Sequence, residues 1–441
     1  MAEQAVSRIR SNLLSGNPDL ESWALQQLQT DFDRFARDGL SPNLEQHLID
    51  AYGLDVSTTY AGLPIKNPWG KASGQLSMTA QQVAEDAAAG LGFCVLKTLI
   101  AQDAAGTQSM SAWAIPESRM VLERIRAAGG EEGWTVSWKG RGWSRSFDDY
   151  LTLVREARAI GAAAGMLVVP SCKFHLPTPA EPTWKTGEYE FTCQQLQAAF
   201  ATSPGDDAPM PLEKDFSPTL AGSDLAREKS QILEWLGTIP RLVRSALGVD
   251  RVRVGLKLFN ALFDDEFQLK MLEAVTTAAD IDRPDFIVYA NRLMDPLREF
   301  EGHRGIAFGG PDLSARNLRI LREFQRSPRD ATGGDGAEPG RPIESVGISA
   351  TGNIGSGRVA VEYLLRGCSS FQLHTYFQLP ASEFPMRHGS KIAKALHVLY
   401  FDPRDGFVAW LLHVARRLGL PRGSMVRLQE LVGAGRTMDD V

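Results

Sequence analysis

Short apolar runs alternate with amphipathic stretches along most of this chain. From about residue 60 the runs are GFCVLKT (92–98), AGMLVVPS (164–171), VRVGLKL (252–258), FIVYAN (286–291), RGIAFGG (304–310), ESVGISATG (344–352) and SSFQLHT (369–375). Between them lie TAQQVAEDAAAG, SFDDYLTLVREARAIGAAAG, DDEFQLKMLEAVTTAAD, LSARNLRILREF and GSGRVAVEYLLRG, which read as helices. Apolar strands covered on both faces and separated by helices are the mark of parallel β/α units. Seven or eight such units predict an α/β fold, a (β/α)8 TIM barrel. A doubly wound open sheet is the alternative.

The flanks have a different texture. In residues 1–55, Leu20, Trp23, Ala24, Leu28 and Phe32 recur at spacings of three and four, which predicts an N-terminal helical extension. The barrel is expected over 56–380 and a C-terminal helical cap over 381–441. Residues 173–225 are rich in proline and aromatics and directly follow a strand end. They read as a long insertion, either an active-site lid or a tolerated surface segment. Residues 326–342, RSPRDATGGDGAEPGRP, have the composition of a mobile linker.

Composition narrows the function classes. A net charge of −6 removes the basic footprint expected of a nucleic-acid binder. The four cysteines, Cys94, Cys172, Cys193 and Cys368, form no CxxC pair, which argues against a disulfide framework, a structural zinc or an iron–sulfur cluster. No GxGxxG opens a βα unit, so no dinucleotide fingerprint is present. No run of about 18 apolar residues exists to span a membrane. The N-terminus MAEQAVSRIRSN lacks the apolar core of a signal peptide, so a cytoplasmic protein is expected.

Several predicted strands end in polar or reactive residues, and barrel active sites sit at the C-terminal strand ends. Thr351-Gly352-Asn353 precedes a helix start near Ser356, and the next strand ends in His374-Thr375. This is either a phosphate cradle at a helix N-terminus or a plain βα turn. Ala72-Ser73-Gly74 ends the first strand, where small residues leave room for a flat ring or simply turn the chain. Lys97 and Lys257 sit among apolar strand residues, a costly placement without a partner. They point to an anionic or electron-rich ligand, unless both reach solvent. Cys172, between Ser171 and Lys173, is a candidate base beside a cation, or an inert core thiol. Asn291 can both donate and accept toward a ligand, or cap its own strand.

Taken in order over roughly residues 60–380, these pieces resemble the dihydroorotate dehydrogenase-like family of FMN-dependent barrels. NPWGKASG is similar to the family's NP…ASG segment at the flavin. GFCVLKT looks like its strand ending in Lys-Thr or Lys-Ser, and VGLKL matches its strand-borne lysine. FGGPDLS, with Gly309 and Gly310, looks like its GGLSG segment, and ATGNI and LHT stand where its two phosphate turns do. The resemblance implies that Ala72, Ser73, Gly74, Lys97, Thr98, Gly309, Gly310, Thr351, Gly352, Asn353, His374 and Thr375 contact FMN. It implies that Lys257 stabilises the reduced flavin and that Cys172 is the proton-exchanging catalytic residue.

The departures concern the substrate. The family's catalytic loop reads Asn-x-Ser-(Cys/Ser)-Pro-Asn, whereas here Val169 and Phe174 replace both asparagines. Trp138-Lys139-Gly140-Arg141-Gly142-Trp143 replaces another asparagine segment, and Asn291 survives. A site stripped of its amides loses selectivity for the ligand those amides matched. The expected substrate is therefore a small molecule other than dihydroorotate, met by Asn291, Ser171, Lys173, Lys139 and Trp138 in a more apolar pocket formed with Trp143 and Phe174. Three readings stay open: an oxidoreductase acting on a C–C bond next to a carbonyl, a genuine dihydroorotate or dihydropyrimidine dehydrogenase with a remodelled site, and a non-redox binding or scaffold barrel. Dimerisation, common in the family, is left open as well.

Overall fold

Ten parallel strands form the central sheet, and the helices cover it. A computed structural model describes residues 12–116, 120–138, 142–179, 181–201, 208–216, 229–260, 263–326, 346–421 and 423–438. Sheet neighbours run Leu99–Ile100, Ser171–Lys173, Met210–Asp215, Val252–Phe259, Phe286–Asn291, Gly347–Thr351, Cys368–Leu373, Trp69–Lys71, Phe93–Val95 and Leu167–Val169. Every pairing is parallel, as the β/α alternation requires. The fold is α/β and TIM-like.

The expectation of eight unbroken strands needs correction. Two of them are each split into a pair of short strands. Between Val95 and Leu99 the Lys97 amide turns to Ser77 O, and between Val169 and Ser171 stands Pro170, which has no N–H to give a ladder. RGIAFGG is not a sheet strand either. His303–Phe308 pairs antiparallel with Leu293–Phe300 in a separate hairpin. A second hairpin, Met120–Arg126 with Glu132–Trp138, turns at Gly129-Gly130.

The 173–225 segment is not an insertion in its described parts. Thr186–Phe200 is a helix, and Met210–Asp215 is an internal strand of the main sheet, between Ser171–Lys173 and Val252–Phe259. Its sequence, MPLEKD, has no apolar run because Glu213 and Asp215 face a polar interior, as shown below. Residues 180, 202–207 and 217–225 of that segment, and 327–342 of the linker, lie outside the described residues.

Two apolar cores flank the sheet. Phe93, Val95, Val169, Phe286 and Val288 gather with Tyr60, Ala61 and Ile65 of the Thr58–Tyr60/Leu63–Ile65 hairpin. Tyr60 lies 4.3 Å from Phe93 and 4.8 Å from Phe286, ring centre to ring centre. Gly70 and Gly255 make room: a Cβ on either would stand within 2.3 Å of Phe93 or Phe286 ring atoms. The intervening residues, such as Cys94 and Val168, belong to the larger core shared with the helices.

Both flanks join that larger core. The Ser22–Asp38 helix packs Phe32 on His397 and Phe35 on Phe401, and Leu54–Asp55 pairs in parallel with Val426–Arg427. Asp31 is fully buried between the first two helices, where it accepts hydrogen bonds from Tyr52 and Arg34 and pairs with His47. Among the described residues, no helix is long and apolar enough to cross a membrane.

The Gly357–Leu365 helix starts against the backbone of Gly406-Phe407, where a Cβ on Gly357 would lie 1.9 Å from the Phe407 nitrogen. Gly357→Ala must therefore push the Phe407–Arg417 helix away. Overpacking of this kind costs about 1–3 kcal/mol, and urea unfolding is expected to show that loss. An unchanged midpoint would contradict the packing.

Candidate functional site

The strand carboxyl ends open into a cavity of about 860 Å³. That is within the range of small-molecule and cofactor sites, roughly 300–1,000 Å³. Its lining brings together most of the sequence-predicted residues. From the first strands come Ala72, Ser73, Lys97 and Thr98, and from the middle of the sheet Lys173, Lys257 and Asn291. The last strands give Thr351, Gly352, Asn353, His374 and Thr375, and the loop after the Leu293–Phe308 hairpin gives Gly309 and Gly310.

Hydroxyls and glycines shape the wall. Ser73 Oγ lies 2.9 Å from Thr98 Oγ1, which lies 3.1 Å from Ser171 Oγ. Ser171 is thus tied to the wall through Thr98 without lining the cavity. Gly74 does not line it either but supports His374, since a Cβ there would stand 2.4 Å from the imidazole Nε2. Burial, then Arg292 and Lys97, push His374 down to about 3. It is a neutral ring at ordinary pH.

Cations dominate the inner cavity. Lys173 pairs with Asp215 at 3.6 Å and lies 4.1 Å from the Trp113 ring centre. Burial lowers Lys97 to about 8, with Lys173 adding to the effect and Asp215 opposing it. Burial alone would raise Asp215, but Lys173, Lys257, Lys214 and Lys97 hold it below the usual carboxylate range. Arg292 is lowered to about 9 by burial and Arg298, and donates to Val136 O of the first hairpin. Besides Asp215, the acidic lining residues are Glu131 and Glu132 at the hairpin turn, Glu362 on the Gly357–Leu365 helix, and Glu383 and Asp405 in the outer loops.

The loop after Gly347–Thr351 presents backbone. Gly352 has φ +108° and packs against Leu313 and Asn317, leaving no room for a side chain. Asn353 also has a positive φ, 52°, steadied by its Nδ2 donating to Ser314 Oγ at 3.0 Å. Among the described residues, the amides of Gly352, Asn353, Ile354 and Gly355 donate to no protein group. Successive free amides in such a turn make an anion-binding nest. The Gly357–Leu365 helix follows directly, capped by Ser356 Oγ accepting from Val359 N. Asn317 Nδ2 donates to Ala290 O and Thr351 O, locking neighbouring strand ends together.

The expectations for five residues are corrected here. Cys172 is not at the cavity. It is fully buried in the helix-side core, and burial, then Cys193, push its thiol well above the ordinary range. The cause is strand alternation, which sends Ser171 and Lys173 one way and Cys172 the other. Phe174 stacks on Tyr189 at 4.2 Å and Trp143 packs edge-on against Tyr150, so both are core residues. Gly74 and Ser171 support the wall from behind. Lys139 lies outside the described residues. Trp138 ends the Glu132–Trp138 strand, and its side chain is outside what the structure describes.

Sequence reasoning missed Asp215, Arg292 and the two hairpins that contribute Trp134, Phe300 and Ile306 to the lining. The first hairpin had a readable signal: Trp134, Val136 and Trp138 alternate after a double glycine. Among the described residues, no group of three or more His, Cys, Asp or Glu could hold a metal ion. No family model and no curated protein matches the chain.

The placement of Cys172 is directly testable. A thiol this buried holds almost no thiolate, so iodoacetamide at about pH 8 should leave Cys172 unlabelled in the folded protein and label it after unfolding. Selective labelling of Cys172 in the folded state would overturn the placement.

Proposed function

We propose that this chain is an FMN-dependent oxidoreductase of the dihydroorotate dehydrogenase-like type, acting at the mouth of a closed (β/α)8 barrel. Chain continuity supports closure. The two end strands of the ladder, Leu99–Ile100 and Leu167–Val169, adjoin Phe93–Val95 and Ser171–Lys173 in sequence, and those pairs also meet in the sheet. The observation that carries the function is the convergence of Lys97, Lys257 and the free amides of residues 352–355 on one cavity.

The residues fit the group. A phosphate monoester suits the 352–355 amides, which donate to no protein group among the described residues. A flat ring suits the small residues Ala72 and Ser73, and Lys257 offers a cation to its electron-rich edge. When bound, FMN supplies hydride exchange with a carbon–carbon bond next to a carbonyl. The neutral imidazole of His374 adds no charge, so the lysines set the electrostatics. Cys172 has no part in this reading. Lys97 near 8 and the Lys173–Asp215 pair are cavity groups able to hold or give a proton. Asn291 and the inner cations Lys97, Lys173 and Lys257 suit a substrate with carbonyl or carboxylate oxygens.

Purified protein should release FMN on denaturation, identified by its mass. A colourless protein that takes up no added FMN would remove the redox reading. Lys257→Met should weaken FMN binding by about 10- to 100-fold, the worth of one charge-assisted contact. Lys97 is charged below about 8 and neutral above it. FMN affinity should therefore hold below that pH and fall above it, by at most about tenfold per unit. A flat affinity profile through pH 8 would exclude Lys97 from the anion's surroundings.

A further inference from the structure

Lys257 is held from beneath the cavity. Its Nζ lies 3.4 Å from Glu213 Oε1 on the adjacent strand and donates to Gln372 Oε1 at 3.1 Å. Gln372 Nε2 donates in turn to Glu213 Oε2 at 2.7 Å and to the Tyr60 oxygen at 3.0 Å. Tyr60 OH donates to Glu213 Oε2 at 3.4 Å. The four side chains come from three sheet strands and the hairpin beneath them, and all are buried. Burial and Glu213 push Tyr60 well above its ordinary range, so it stays a neutral donor.

A fully buried carboxylate is costly even when paired. Lys257 could be oriented by neutral partners such as Gln372 alone. An acid at Glu213 adds what an amide cannot: a fixed negative charge directly below a cavity lined by Lys97, Lys173 and Lys257.

We propose that Glu213 is a positioning residue: it fixes the Lys257 ammonium at the cavity floor and offsets its charge, setting how strongly the cavity prefers the more anionic form of its ligand. The proposal rests on the FMN reading for that ligand, while the clamp on Lys257 stands apart from it.

Two readouts test it. In FMN-loaded protein, Glu213→Gln removes the offsetting charge and keeps an amide for Gln372 and Tyr60. Reduced FMN should then bind about tenfold more tightly relative to oxidised FMN, which is about 30 mV more positive for a two-electron couple. Lys257→Met should shift the potential the opposite way, and Glu213→Asp, which keeps the charge, should stay near the parent value. An unmoved potential in Glu213→Gln beside a shifted one in Lys257→Met would overturn the electrostatic role.

The second readout needs no cofactor. Reductive methylation of the cofactor-free protein with formaldehyde and cyanoborohydride, mapped by mass spectrometry, should modify Lys257 several-fold faster in Glu213→Gln. Lys71, clamped by Asp86 at 2.6 Å on the helix side, should not change. Equal rates at Lys257 in both proteins, or a joint rise at Lys71 and Lys257, would overturn the clamp. If Glu213→Gln does not fold, Gln372→Met removes the other partner of Nζ, and the same Lys257-specific rise is expected. Failure of the parent protein to bind FMN would count against the proposed function, and the labelling would still decide the clamp.

Discussion

Successive side chains of a β-strand point to opposite sides, and in a sheet covered by helices one side is interior and the other is helix-facing. That constraint governs the whole site. On the Ser171–Lys173 strand, Ser171 and Lys173 share one side and Cys172 the other. On the next strand Glu213 and Asp215 meet the interior lysines while Lys214 lies on the opposite side, beside the Phe216 ring and donating to Asp215 O. Phe93 and Val95 lead up to Lys97 in the same parity. The interior therefore rises in layers, from apolar rings packed around Tyr60, through the Glu213–Lys257–Gln372 network, to the lysines around Asp215.

Those layers explain how buried charge is tolerated. Ionised groups sit where each has an opposite charge or an amide within reach, which is the condition for burying them at all. The helix side uses the same device, with Lys71 on Asp86 and Cys94 donating to Asp86. Burial raises Asp86 to about 6 in spite of Lys71, and neither residue lines the cavity. At the mouth, two antiparallel hairpins cover what the strands leave open. Arg298 pairs with Glu123 between them, and Gly309 N donates to Thr135 Oγ1. The roof thus arises from ribbons outside the main sheet, and Arg292, just before one of them, lines the same space as the inner lysines.

Much of this was legible in the chain, and the reasons for the gaps are physical. The apolar strands at 92–98, 252–258, 286–291 and 344–352 were readable because both their faces are covered. Lys97, Lys257, Asn291, Thr351-Gly352-Asn353 and His374-Thr375 were readable because they end those strands. Met210–Asp215 was hidden because its interior positions hold Glu213 and Asp215, which break the apolar run. RGIAFGG was misread because a short apolar run in a half-buried hairpin looks like a short sheet strand. Cys172 was misplaced because Pro170 breaks the strand, and the side on which Ser171-Cys172-Lys173 resumes is set by neighbours distant in sequence.

One cavity joins the amides of residues 352–355 to Lys97, Lys173 and Lys257, and the proposed function rests on that convergence. The most direct measurement is calorimetric titration of the cofactor-free protein with FMN and with riboflavin, which has the same ring and no phosphate. FMN should bind at least about tenfold more tightly, the worth of one or two charge-assisted hydrogen bonds. Lys257→Met should weaken both ligands. Equal affinities for the two ligands, or no binding of either, would contradict the proposed function.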